Sequence, residues 1–251
     1  MYFLDAIIYP FRDGRWPFKL GPIFALQYIP LLGQAIARGY EAKISQGIHA
    51  GVEQPMPTWG DFFKHAGRGL AIYFAQFIYQ LPTIIFTISI IALWILPFFT
   101  GLFSGTETIE QAFQAAWQRW LGAMGPRLAL SCAALFYATL ATMSFHAGYL
   151  RYIQTERYLA FFEIIPNLRL MLRNLLPILT EFAFTILTLV IVALVSWMVS
   201  LTGVGVAFVP GFAFTFLTYT NGYSIGQLAN EVFEAEARRA NPTPQRPLNA
   251  R

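Results

Sequence analysis

Two long stretches of the chain carry no charged side chain. Gly69–Phe103 runs for 35 residues and Phe182–Asn230 for 49. A helix needs about 20 apolar residues to cross a bilayer once. The second stretch is therefore long enough for two crossings and a turn, and the first is too long for one and too short for two. Apolar runs at Leu20–Ala37 and Leu128–Leu150 complete the pattern. The predicted class is all-α: a polytopic helical membrane protein of four to five spans, at about 20–37, 76–100, 128–150, 175–200 and 203–222. Interfacial amphipathic helices and a broken N-terminal hydrophobic hairpin accompany them.

Punctuation within the runs refines this. Leu20–Ala37 is short and interrupted by Pro22, Pro30 and Gly33. Irregular backbone at membrane depth is tolerated only where protein shields it, so a broken hairpin that enters and leaves on the cytoplasmic side is expected, with a true span and an outside N-terminus as the alternative. In the 35-residue stretch, Phe62 to about Tyr79 reads as an interfacial approach, opened by Thr58 with Asp61 at capping-box spacing. Pro82 then removes a backbone donor and bends the chain into the crossing; one long tilted helix is the alternative. In "TIEQAFQAAWQRWLG", Ile109, Phe113, Trp117, Trp120 and Leu121 share one helical stripe, the signature of a helix lying in the headgroup plane. Tyr158–Leu172 reads the same way. Residues 1–239 form one integral membrane domain, and the Pro-rich tail 240–251 is expected to be disordered.

Charge sets the threading. The 251 residues are 12% charged and 56% hydrophobic, against about 25% charged in soluble domains. Lysine and arginine concentrate in 38–68, in 151–174 and after Arg238, and are sparse between. The positive-inside effect then places those segments and the C-terminus in the cytoplasm, in a cell inner membrane. The net charge of +4 is accounted for by these loops, and nucleic-acid binding is not expected. Cys132 is the only cysteine, which excludes a disulfide framework and a cysteine metal site.

Candidate chemistry is sparse. Glu181 is the one acidic residue well inside a predicted span, and a carboxylate there is a functional candidate by default. No second acid or base falls in a span core, so pairing at the interface is the simpler expectation. Gln76 and Gln80 lie at i and i+4 on the face that carries Tyr73, where interhelical hydrogen bonds are the expected use. All three histidines, His49, His65 and His146, occur as His-Ala-Gly. No cofactor or metal is predicted; an axial imidazole for pigment or haem at His146 is the alternative. The dipeptide Gly-Tyr closes three hydrophobic stretches, at Gly39-Tyr40, Gly148-Tyr149 and Gly222-Tyr223, and suggests an internal repeat. No nucleophile elbow, His-Glu-x-x-His or phosphate loop is present, so an enzyme is not expected.

The stretches "YPFRDGRWPFKLG", "YIPLLGQAIARGY", "PMPTWGDFFKHAGRGL" leading to "IYQLP", "YLAFFEIIPNLRLMLRNLLPIL" and "NGYSIGQL" resemble the prokaryotic membrane proteins called domain of unknown function 4013. The resemblance covers about residues 8–228 and rests on Pro, Gly, Trp and aromatic positions; the region of Trp117 and Trp120 stands apart from it. It implies a multi-pass helical protein and supplies no catalytic residue. The function expected from the whole reading is a non-catalytic integral membrane protein, an accessory, scaffold or assembly subunit with membrane lipids and other integral subunits as partners. The alternative is a transporter or channel-like protein for lipid or an apolar solute.

Overall fold

The computed structural model describes residues 3–29, 31–52, 59–102, 108–122, 124–201, 203 and 205–241. Thr58 and the tail 242–251 lie outside them. Among the described residues every regular element is helical: α1 Phe3–Ile8, α2 Trp16–Leu26, α3 Leu32–His49, α4 Phe62–Leu102, α5 Ile109–Gly122, α6 Met124–Thr155, α7 Ile164–Arg173, α8 Leu175–Ser200 and α9 Gly205–Ala240, with 3₁₀ turns at Tyr9–Arg12, Trp59–Asp61 and Tyr158–Phe162.

Three helices are long and apolar enough to cross a membrane, covering Phe62–Leu96, Met124–Thr155 and Leu175–Ser200. Two expected segments are organised differently. Residues 20–37 divide between α2 and α3, and Leu31 turns the chain with φ 63°. A side chain at Gly33 would place its Cβ 1.9 Å from the Leu26 carbonyl oxygen, so the break needs glycine there. Residues 205–240 belong to α9, whose last turns carry Arg238 and Arg239. At Pro82, where a bend is expected, α4 continues as one 41-residue helix. At 1.5 Å per residue it is about 60 Å long, roughly twice a hydrocarbon core. One missing donor is a small loss in a helix of this length, so the single-helix alternative is the one observed.

The chain divides into two compact units, 1–75 with 144–251, and 76–143. In the first, α9 packs against α1, α2, α3 and α8. Tyr9, Tyr40, Ile44, Tyr219 and Tyr223 are buried in its core. A buried ion pair ties down the N-terminal arm: Lys19 Nζ lies 2.6 Å from Asp13, and the Tyr219 hydroxyl donates to the Lys19 carbonyl. Helix α3 meets α4 at backbone distance. A Cβ on Gly39 would fall 1.8 Å from the His65 carbonyl oxygen, and one on Gly69 would fall 1.5 Å from that of Ala35. Such glycine contacts let helices approach where large side chains cannot.

In the second unit, Gln80 Nε2 donates to Thr142 Oγ1 at 3.1 Å, and Phe86 meets Tyr137 edge to face. Arg127 is buried, donates to the Trp120 carbonyl and faces the rings of Trp94 and Trp120. The α5 stripe is the exposed one, with Ile109, Phe113, Trp117 and Leu121 outward; Ala112 and Ala116 are the residues it buries.

Candidate functional site: a buried ionisable cluster

The polar residues that the sequence scatters over α3, α6 and α8 meet inside the first unit. Arg38 and Glu41 sit one turn apart on α3, and Arg38 Nη1 donates to both Glu41 oxygens, at 3.0 and 2.9 Å. Glu41 is 2% exposed. From α8, Glu181 is fully buried. Its Oε1 accepts from the Thr185 hydroxyl at 2.9 Å; its Oε2 makes no hydrogen bond and stands 3.8 Å from Nε2 of His146 on α6. The two pairs feel one another, since Glu41 lies within electrostatic range of His146 and Glu181. Tyr149, one turn beyond His146, lies within range of Arg38 and Glu41. Ser45 closes the site toward α9 by bonding to the Glu41 and Gly222 carbonyls.

Local sequence explains why α3 can deliver charge here. Arg38 and Glu41 have the i, i+3 spacing that brings side chains together on one helix face. Burial pushes the Glu41 carboxyl above its usual range, opposed by the Arg38 charge. The Glu41 charge in turn holds the Arg38 guanidinium above its ordinary value. The arrangement provides two carboxylates, an imidazole, a guanidinium and a phenol within one bundle, which is a set able to hold and release a proton. Among the described residues no group of three or more His, Cys, Asp or Glu could hold a metal ion.

The structure thus brings Glu181 and His146 together and adds Arg38, Glu41 and Tyr149, which the span-by-span reading did not join. A signal for them existed in the charged pair just past the first hydrophobic segment. What was missing was the tertiary contact that brings this pair within electrostatic range of His146 and Glu181. Gln76 and Gln80 belong to the second unit, where Gln80 bridges α4 and α6 as described and Gln76 is half-buried. His49 pairs with Asn230, and His65 packs edge-on against Tyr40.

The Gly-Tyr dipeptides are all packing sites. Tyr40, Tyr149 and Tyr223 are buried. A Cβ on Gly148 would meet Phe161 and Asn167, and one on Gly222 would meet Ile44 and the Glu41 carbonyl, at 2.9–3.2 Å. In the same unit, a cavity of about 530 Å³ opens among Phe11, Phe24, Val195, Phe212 and Phe216, and Ser196 is its one hydroxyl-bearing side chain.

Residues 23–218 match the family described as "Protein of unknown function (DUF4013)", and the chain belongs to that family. No curated protein and no solved structure matches the chain.

Proposed function

For this member of a family of unknown function, we propose a non-catalytic integral membrane protein of the transporter or channel-like kind, acting on lipid or an apolar solute. The observation that carries the reading is the buried cluster of Arg38, Glu41, His146 and Glu181. Ionisable groups among membrane helices are costly, and they mark ion, proton or substrate paths. The aromatic cavity beside α8 and α9 supports the cargo class, because its walls are apolar and about 530 Å³ accommodates part of an acyl chain or a small apolar molecule. The facing pair of Glu181 and His146, 3.8 Å apart, is the coupling site of this proposal.

The test is reconstitution in vesicles with an imposed pH gradient, following a fluorescent lipid analogue. Wild type is expected to redistribute the analogue in a gradient-dependent way. Glu181→Gln keeps the shape but removes the ionisable carboxyl, and is expected to abolish that dependence while folding normally. Gradient-independent redistribution in both proteins, or none in either, refutes the reading.

A second reading is an accessory, scaffold or assembly subunit of a larger membrane complex. It is favoured by the second unit, whose buried apolar residues among those described are small apart from Met143: Ala112, Ala116, Ala134 and Ala141. Mild-detergent purification from the native membrane with mass spectrometry separates the two. A stoichiometric complex supports the subunit reading, and a visible absorption band in that peak supports a pigment on His146.

A further inference from the structure

A second cavity, of about 470 Å³, lies between the end of α6, helix α7 and the last turns of α9. Its chemistry is divided. Arg151, Arg169 and Arg173 line it, Glu236 is the one acidic residue in the lining, and Ile165, Pro166, Leu170 and Phe233 supply the apolar part. We propose that this cavity binds the phosphate of an anionic phospholipid, with the acyl chains lying along the exposed apolar face of α7.

Position fixes each arginine differently. Arg151 is held in place: it donates to the buried Asn167 at 3.0 Å and pairs with Glu163. Asn167 in turn donates to the carbonyls of Ala160 and Phe161, which pins the 3₁₀ turn over α6. Arg173 is looser, 3.5 Å from Glu236, with its side chain more than half exposed. Arg169 is exposed and has no hydrogen-bond or ion-pair partner among the described residues. A planar guanidinium fork without a partner is the group best suited to a phosphate.

The rest of α7 argues for a lipid over a free anion. Ile164, Ile165, Leu168 and Leu172 are 66%, 73%, 42% and 61% exposed, beside Arg169 and Arg173 on a helix of ten residues. Apolar and basic faces side by side describe a helix lying in the headgroup region. Basic pockets between membrane helices recognise anionic headgroups there. An aqueous anion would use the arginines and leave the apolar half of the cavity and the α7 face in water. The site is separate from the buried cluster, and its failure would leave the proposed function standing.

The experiment titrates the full chain in mild detergent with phosphatidylglycerol or phosphatidylcholine, counting bound lipid by native mass spectrometry. One phosphatidylglycerol is expected to bind at least tenfold more tightly than phosphatidylcholine. The double variant Arg169→Gln, Arg173→Gln should bind about 30-fold more weakly, at roughly fivefold per basic residue at a membrane surface. Arg157→Gln, outside the cavity lining, should match wild type. Glu236→Gln removes the only acid in the lining and frees Arg173, so it should bind more tightly, an outcome that misfolding would not produce. Equal binding of the two lipids, unchanged binding by the double variant, weaker binding by Glu236→Gln, or displacement of the lipid by millimolar inorganic phosphate would each overturn the assignment.

Discussion

Replacing Arg38 by Met removes the counter-charge of a carboxyl that is 2% exposed while roughly keeping the volume. Breaking a buried pair from one side costs about 3–5 kcal/mol, but Arg38 is itself a third exposed, which lowers the figure. A second bound comes from titration. Glu41 escapes the cost by taking up a proton, and from an ordinary value of 4.5 this costs at most about 3.4 kcal/mol at pH 7, at about 1.36 kcal/mol per pH unit. The expected loss is therefore about 2–3 kcal/mol at pH 7. The sign with pH follows. A carboxyl whose folded-state pKa lies above its unfolded value contributes stability that is full below the unfolded value and is lost as pH rises through the folded one. The deficit of Arg38→Met should shrink on acidification and close near pH 4.5. Thermal unfolding in detergent across pH 4.5–7.5 measures it. A deficit below about 1 kcal/mol at pH 7, or one that does not change with pH, would refute the buried-pair argument.

Other expectations follow from packing and charge. Gly69→Ala places a methyl against the Ala35 carbonyl and should cost several kcal/mol. Gly67→Ala, with nothing within 4 Å of its Cβ, should be neutral or stabilising by up to about 1 kcal/mol; thermal melts of the two variants compare them within one helix. Asp13→Ala removes the carboxylate paired with the buried Lys19 ammonium and should cost up to about 3 kcal/mol, read by the same melt. Glu236 titrates in the opposite sense from Glu41: burial raises it, but hydrogen bonds from Asn174 and Arg239 outweigh burial and leave it below its ordinary range. Its contribution is present above the unfolded value and lost as pH falls through the folded one. Glu236→Gln should therefore be less stable than wild type at pH 7 and converge with it below about pH 4.

Much of the helical layout was readable because hydrophobic length is a strong signal. The α8 boundaries, Leu175–Ser200, coincide with the predicted span. The break between α2 and α3 was marked by Pro30 and Gly33. Pro82 lies inside a continuous helix because proline in a long apolar helix can be accommodated within one element. The site was harder to read. Glu181 and His146 were recognisable one at a time, as polar groups in apolar runs. Arg38 and Glu41 looked like ordinary loop charges just beyond a short hydrophobic segment. Nothing in a period of 3.6 states that α3 brings its charged pair within electrostatic range of His146 and Glu181; that is decided by tertiary contact.

Those contacts also give the Gly-Tyr dipeptides a physical meaning without common ancestry. Gly39 stands between Arg38 and Glu41 and lets α3 reach the α4 backbone. Gly222 on α9 packs against the Glu41 carbonyl, and Ser45 bonds to the Gly222 carbonyl at the same level. Gly148 follows His146 by two residues and admits Asn167 and Phe161 to the α6 surface. The three dipeptides thus flank the buried cluster, each bringing a neighbouring element close and each burying a tyrosine. Close approach excludes water and lipid, and that exclusion is what lifts the Glu41 carboxyl: burial disfavours its charged form and raises it above its ordinary range. A glycine-to-alanine change at 222 should therefore do more than loosen packing. By admitting water to Glu41 it should return that carboxyl toward its ordinary range and flatten the pH dependence predicted for Arg38→Met. If Gly222→Ala weakens the fold but leaves that pH dependence intact, close packing and proton affinity at this site are independent, and the link between the motif and the cluster is wrong.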